Sequence, residues 1–206
     1  MTVKHNIISC EALSAGRNGM ALTQPVSFSL ARGQFVQLRG ANGCGKSTFL
    51  RHLAGLLPAS HGTILIDDAP QAAHQIATRR RISYLGHADG LHGDLSAYEN
   101  YELLTGESRI MLVQSALYER PVATYSAGQR QKLTIHMLND DHDFWLLDEP
   151  AASLDDANLR HLEERIAGYL ANGGAVIAST HTPLGEGLVT KVITLTPFDH
   201  DEGGHS

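Results

Sequence analysis

The chain has 206 residues, a formal net charge of −6 and 42% hydrophobic residues, which suits one globular domain with a sizeable core and room for a small subdomain. An acidic balance offers no basic field of the kind that polynucleotide binding requires, so no nucleic acid is expected as a partner. No apolar run approaches the roughly 18 residues of a membrane span and the N-terminus lacks the apolar core of a signal peptide, so the chain is expected to be cytosolic or peripheral to a membrane.

Taken in order, Ile7 to Leu13 and Val26 to Leu30 read as short strands, and Arg32-Gly33-Gln34 as the turn into a third, Phe35 to Arg39. Ser14 to Gly19 shows no strong periodicity, and this first part reads as a β-rich flap. After Gly40 to Thr48 comes a helix opening at Phe49-Leu50-Arg51-His52-Leu53, ended by the turn signals between Pro58 and Gly62. Thr63 to Ile66 is a strand, 68–81 a polar loop or short helix, and Ile82 to Leu85 a strand that stops at Gly86-His87. Ala97, Tyr98, Tyr101 and Leu104 recur at helical spacing, and Ile110 to Tyr118 offers a second helix. These make a helical insert over about 88–125.

Tyr125-Ser126-Ala127-Gly128-Gln129 opens a helix to about Leu138, with Ser126 and Gln129 spaced as a capping box. Phe144-Trp145-Leu146-Leu147 is an apolar run that ends in Asp148-Glu149, the pattern of a buried parallel strand with carboxylates at its ligand-facing end. Asp155 is placed to cap a helix whose Leu159, Leu162, Ile166 and Tyr169 share one face. Ala175 to Ser179 is a strand with His181 just beyond it, Val192 to Leu195 is the last strand, and 199–206 is a flexible tail. Strands alternating with helices imply an α/β fold, with helices on both faces of a mainly parallel sheet. Cys10 and Cys44 form no metal-spaced pair or disulfide framework, and the 12 histidines show no zinc spacing.

The chemistry centres on Gly40-Ala41-Asn42-Gly43-Cys44-Gly45-Lys46-Ser47-Thr48, which fits G-x-x-x-x-G-K-[ST] between a strand and a helix. In that arrangement a glycine-rich turn aims backbone N–H groups at phosphate oxygens, the lysine reaches the terminal phosphates and the hydroxyl ligates Mg²⁺. Asp148 is suited to hold Mg²⁺ through water, and Glu149 to take a proton from the attacking water.

Together these stretches resemble the nucleotide-binding subunit of ABC transporters over the whole chain, and so a P-loop ABC ATPase fold with a β-rich N-terminal flap and a small helical subdomain. Tyr125-Ser126-Ala127-Gly128-Gln129 matches the family's L-S-G-G-Q signature at three of five positions. Asp155, after Ala152-Ser153-Leu154, is similar to the D-loop, and His181, after Ser179-Thr180, to the switch histidine. The resemblance implies ATP and Mg²⁺ as ligands. It also implies a homodimer stacked head to tail, in which Ser126 and Gly128 of one copy touch the γ-phosphate held by Lys46 of the other, with Ala127, Gln129 and Asp155 in the same interface.

Two positions depart from the family. His87 stands where a glutamine is usual; its imidazole can ligate Mg²⁺ or hold a water, with a pH dependence glutamine lacks. Arg17 occupies the place of the aromatic residue that stacks on adenine, and a guanidinium also stacks on a base. Tyr84-Leu85-Gly86-His87, the short insert and the length resemble the CcmA family of cytochrome c maturation ATPases, although Gly-His-Ala-Asp-Gly stands here for that family's Gly-His-Gln-Pro-Gly. That likeness implies a membrane subunit resembling CcmB, further maturation components, a role in haem handling, and a peripheral place on the cytoplasmic face of the inner membrane. The alternatives are a soluble ABC ATPase acting on a scaffold, as in iron–sulfur assembly, the ATPase of another small ABC exporter, and a nucleotide switch that scarcely turns over. About eighty residues between cradle and signature leave no room for the coiled-coil arm of DNA-repair relatives.

Overall fold

In the computed structural model, residues 6–17, 19–59, 61–71, 81–86, 90–105, 118–152, 154–181 and 183–198 are described. Five parallel strands form the central sheet: β5 (Phe35–Arg39), β8 (Ile82–Leu85), β9 (Phe144–Asp148), β10 (Ala175–Ser179) and β11 (Val189–Thr194), in the order β11-β5-β10-β9-β8. A second, antiparallel sheet has the order β4-β1-β6-β7, from β1 (Asn6–Ser14), β4 (Val26–Ala31), β6 (His61–Ile66) and β7 (Ala69–Pro70). This is the expected β-rich flap, and it carries a two-stranded ribbon of β2 (Gly16–Arg17), inside the stretch Ser14 to Gly19 that shows no strong periodicity, and β3 (Met20–Ala21), just after it.

Period-two alternation sorts the central strands between two cores. Phe144 and Leu146 of β9, with Val36 and Leu38 of β5, face helix α1 (Lys46–Leu53) and the antiparallel sheet, where they meet Phe49, Leu50, Leu53, Ile8, Leu30 and Ile64. Trp145 and Leu147, with Phe35 and Val176, face the other way onto Ile135, Leu162, Ile166 and Tyr169. That side is covered by α3 (Ala127–His136) and α4 (Asp156–Ala171). Trp145 stacks on Tyr169 with centroids 3.9 Å apart and planes at 5°, and such a pair adds about 0.5–1.5 kcal/mol to its area burial. Between β8 and α3 lies α2 (Ala97–Thr105), and Ala97, Val122, Tyr125 and Leu133 form a small separate core there.

The strands, α2 and the capped helices lie where periodicity and capping place them, with shifted ends. The signature helix stops at His136 rather than about Leu138, and β6 begins at His61. Strand β11 begins at Val189, three residues before the expected start. A register shift between Val189 and Lys191 skips Thr190, whose hydroxyl accepts the Phe35 N–H at 3.1 Å and donates to the Phe35 carbonyl at 3.0 Å. A side chain there does what ladder backbone does elsewhere, which hides the strand from a period-two pattern. The expected helix Ile110 to Tyr118, all but its last residue, lies outside the described residues, as do most of 68–81, Ser153, His87 and the tail 199–206.

Candidate active site

Strand β5 runs straight into the glycine-rich loop, which turns at Gly43 (φ 76°) and Gly45 (φ 105°) into α1. Positive φ is what glycine supplies without steric cost. Gly40 is needed for another reason: a Cβ there would lie 2.6 Å from Cys44 Sγ and 2.8 Å from the Leu195 carbonyl oxygen. Cys44 is therefore a buried packing residue under the loop. Gly45 caps α1 with no side-chain hydrogen bond and no acidic residue follows in the first turn, so the amides of that turn keep their capacity to receive an anion. Lys46 is buried and folds back, its Nζ donating to the carbonyls of Gly40 at 3.0 Å and Ala41 at 3.1 Å.

An open cleft of about 470 Å³ is lined by Asn42, Gly43, Gly45, Lys46, Ser47, Thr48, Asp148, Glu149 and His181. The sheet order explains the convergence. β10 lies between β5 and β9, so the C-terminal ends of all three open at one edge, at the place where ligands bind in α/β sheets. Asp148 is 2% exposed; its Oδ1 accepts the Ser179 hydroxyl at 2.7 Å, while Oδ2 is buried with no hydrogen-bond partner. A buried carboxylate oxygen with nothing to accept from suits a hydrated divalent cation, and Ser47 lines the same cleft. The residues present thus fit Mg²⁺.

Glu149 has φ 53°, a conformation that costs a non-glycine residue of order 1–3 kcal/mol and is found where the surroundings over-determine it. Here its N–H is held by Ser179, through the carbonyl at 3.0 Å and the hydroxyl at 3.1 Å. The turn throws the side chain into the cleft. There Oε2 accepts the His181 N–H at 3.2 Å and Oε1 stands 3.3 Å from His181 Nε2. Ser179 thus joins the site beyond the residues that the sequence points to, and its sequence signal is a small polar residue at the end of a buried parallel strand.

The signature turn lies elsewhere. Ser126 caps α3 in a complete capping box, its hydroxyl accepting the Gln129 N–H at 3.2 Å while Gln129 Oε1 accepts the Ser126 N–H at 2.9 Å. The amides of Ala127 and Gly128 stand outside that box. Ser126, Ala127 and Gln129 are exposed, and none of the signature residues lines the cleft. Asp155 is likewise exposed and caps α4 through the Asn158 N–H at 2.8 Å. Arg17 is exposed on the β2–β3 ribbon beside the loop, outside the cleft lining; two residues before it, Ala15 packs close to Gly45.

Residues 23–152 match the ABC transporter family. The chain is 36% identical over 211 residues to the cytochrome c biogenesis ATP-binding export protein CcmA of Rhodobacter capsulatus, covering 97% of this chain and 93% of that protein. It is also 36% identical over 202 residues to the protein of the same name from Xanthomonas oryzae, covering 92% and 94%. A solved structure described as the ATP binding subunit of an ABC transporter superposes with a TM-score of 0.79 at 25% identity, over 92% of this chain and 86% of that one.

Proposed function

Because the chain belongs to the ABC transporter family, as an ATP-hydrolysing member, we propose that it is the peripheral ATPase subunit of a membrane-embedded cytochrome c biogenesis exporter. Its place is the cytoplasmic face of the inner membrane, bound to a membrane subunit of the CcmB kind and acting in haem handling. The observation that carries this reading is the grouping of Lys46, Asp148 and Glu149 around one cleft, in a chain alike over nearly its whole length to proteins named CcmA. Among the described residues no helix is long and apolar enough to cross a membrane, so a membrane role calls for a partner.

Lys46 exchanges the Gly40 and Ala41 carbonyls for the terminal phosphates of ATP, and the amides at the start of α1 hold the phosphate chain. Ser47 and Asp148 are the residues that would hold Mg²⁺, which would supply neutralising charge at the phosphates. Glu149 accepts the proton of the attacking water, and His181 sets the direction of its carboxylate. A cleft without the signature turn is half a site. The other half comes from Ser126 and the free amides of Ala127 and Gly128 in a second copy, with Asp155 and Gln129 at the same interface, so the working unit is a homodimer. Arg17 lies against the base, and His87 stands in the sequence where the family carries a glutamine.

Affinity purification of the tagged chain from detergent-solubilised membranes and from cytosol tests the assignment. Recovery with a membrane subunit, and ATP turnover that falls when Glu149 is replaced by Gln, is the expected result. Purification from cytosol alone, with a soluble scaffold, replaces the exporter reading.

A further inference from the structure

Among the described residues, the buried side-chain polar atoms without a hydrogen-bond partner are Tyr84 Oη and Asp148 Oδ2. Buried polar groups are rarely left unpaired, so an orphan calls for a water, an ion or a function. One of these two is a donor, the other an acceptor, and the sheet brings them to the same place. β8 and β9 are parallel neighbours with Tyr84 opposite Leu146. Since side chains alternate, Tyr84, Leu146 and Asp148 share one face, the face on which Leu146 meets α1 and against which Tyr84 packs.

The ring leans toward the nucleotide end of the strand. A Cβ on Gly86 would lie 2.9 Å from Tyr84 Cε1 and 3.2 Å from its hydroxyl, so the phenol lies over Gly86 and reaches its level. One step beyond the Leu85–Leu147 pair, the same register brings Gly86 level with Asp148. Diagonal neighbours on one sheet face are about 7–8 Å apart, within reach of a long aromatic side chain plus one water. After burial, the charge of Asp148 also acts to keep the phenol protonated, which places the two groups within electrostatic reach.

We propose that Tyr84 is a positioning residue for the metal-binding carboxylate: its hydroxyl donates to the water that Asp148 Oδ2 holds, and so fixes Asp148 for the cation that accompanies ATP. This rests on the reading of Asp148 as the cation-holding residue. Gly86 is then required to be small so that the phenol can lie over it. Burial is the main influence raising the pKa of the phenol, against the lowering effect of hydrogen bonding from the Arg51 guanidinium; a guanidinium only donates, so the proton of the hydroxyl is left to be donated elsewhere at neutral pH.

The test uses Tyr84→Phe, which keeps the ring and removes the hydroxyl, in full-length chains that also carry Glu149→Gln to suppress turnover. Binding of a fluorescent ATP analogue is measured with Mg²⁺ and with chelator, and Mn²⁺ binding in the presence of ATP is followed by electron paramagnetic resonance. The expected result is a metal-dependent affinity about five- to tenfold weaker in Tyr84→Phe, a comparable loss in Mn²⁺ affinity, and unchanged binding in chelator. Combining Tyr84→Phe with Asp148→Asn adds no further loss if the two act as one unit. If the parent chain responds to Mg²⁺ and Tyr84→Phe responds equally, Tyr84 has no such role while the site reading stands. Equal weakening with and without metal reveals general damage and overturns the inference, and a parent chain indifferent to divalent cations overturns both.

Discussion

His181 holds both carboxylate oxygens of Glu149, donating its N–H to Oε2 at 3.2 Å and placing Nε2 3.3 Å from Oε1. The contact joins the ends of β9 and β10, and Ser179 ties the backbone of the same glutamate from the same side. The side chain proposed to take a proton is therefore aimed by groups of the protein itself.

Glu149→Gln keeps this geometry nearly intact but removes the basic oxygen. ATP hydrolysis is expected to fall about a hundredfold or more, while nucleotide binding persists and a nucleotide-bound dimer accumulates. His181→Ala removes the ring contact to Oε1 but keeps the backbone N–H bond to Oε2, so the base is present but less firmly aimed, and the rate falls with little change in nucleotide affinity. Phosphate release, together with size-exclusion chromatography in ATP, separates the two.

Two dead variants revive each other if each nucleotide is held between two chains. Lys46→Ala empties the cradle. Gly128→Asp puts a carboxylate in the first turn of α3, where a helix tolerates it but a phosphate does not. Each alone is inactive, and an equal mixture recovers roughly a quarter of normal turnover, because half of the dimers then own one intact composite site. Mixed samples that stay inactive after subunit exchange, confirmed with differently tagged chains, argue for a self-contained monomeric site.

Stability has its own pH signature in the knot that joins Arg32, Asp143, Arg81 and Asp67. Burial raises the pKa of Asp143, but the paired guanidinium groups of Arg81 and Arg32 outweigh it and hold the carboxyl below its usual value. A depressed folded-state pKa means stability that is present above the ordinary aspartate range and is lost as pH falls through the lowered value. Asp143→Asn is expected to cost about 1 kcal/mol at neutral pH, with the gap from the parent closing in acid. Thermal unfolding between neutral and strongly acidic pH checks the sign.

Gly40→Ala presses on Cys44 Sγ and on the Leu195 carbonyl. Overpacking of this kind costs about 1–3 kcal/mol, with roughly 2–4 °C in Tm for each kcal/mol in a chain of this size. Adding Cys44→Ala relieves the first contact and not the second, so calorimetry on the double variant is expected to show partial recovery.

Much of this was legible in local pattern. The apolar run of β9 ending in Asp148-Glu149, the Ser126–Gln129 box and the Asp155 cap depend on neighbours a few residues away, and each appears as expected. What local pattern could not carry is pairing across the fold. The bond between His181 and Glu149, the grip of Ser179 on both carboxylate residues and the Thr190 substitution in β11 all join segments brought together by sheet order. The β2–β3 ribbon is two residues wide on each side, too short for any periodicity to register.

Lys46 rests on two carbonyls of its own loop, so the charge of its ammonium group is already accounted for within the cradle. Arrival of a triphosphate is then a hand-over of one ammonium group from protein oxygens to ligand oxygens. Capture is expected to follow a single exponential whose rate rises in proportion to nucleotide concentration, and in the proposed homodimer a slow step is expected only afterwards, at the pairing of two loaded chains.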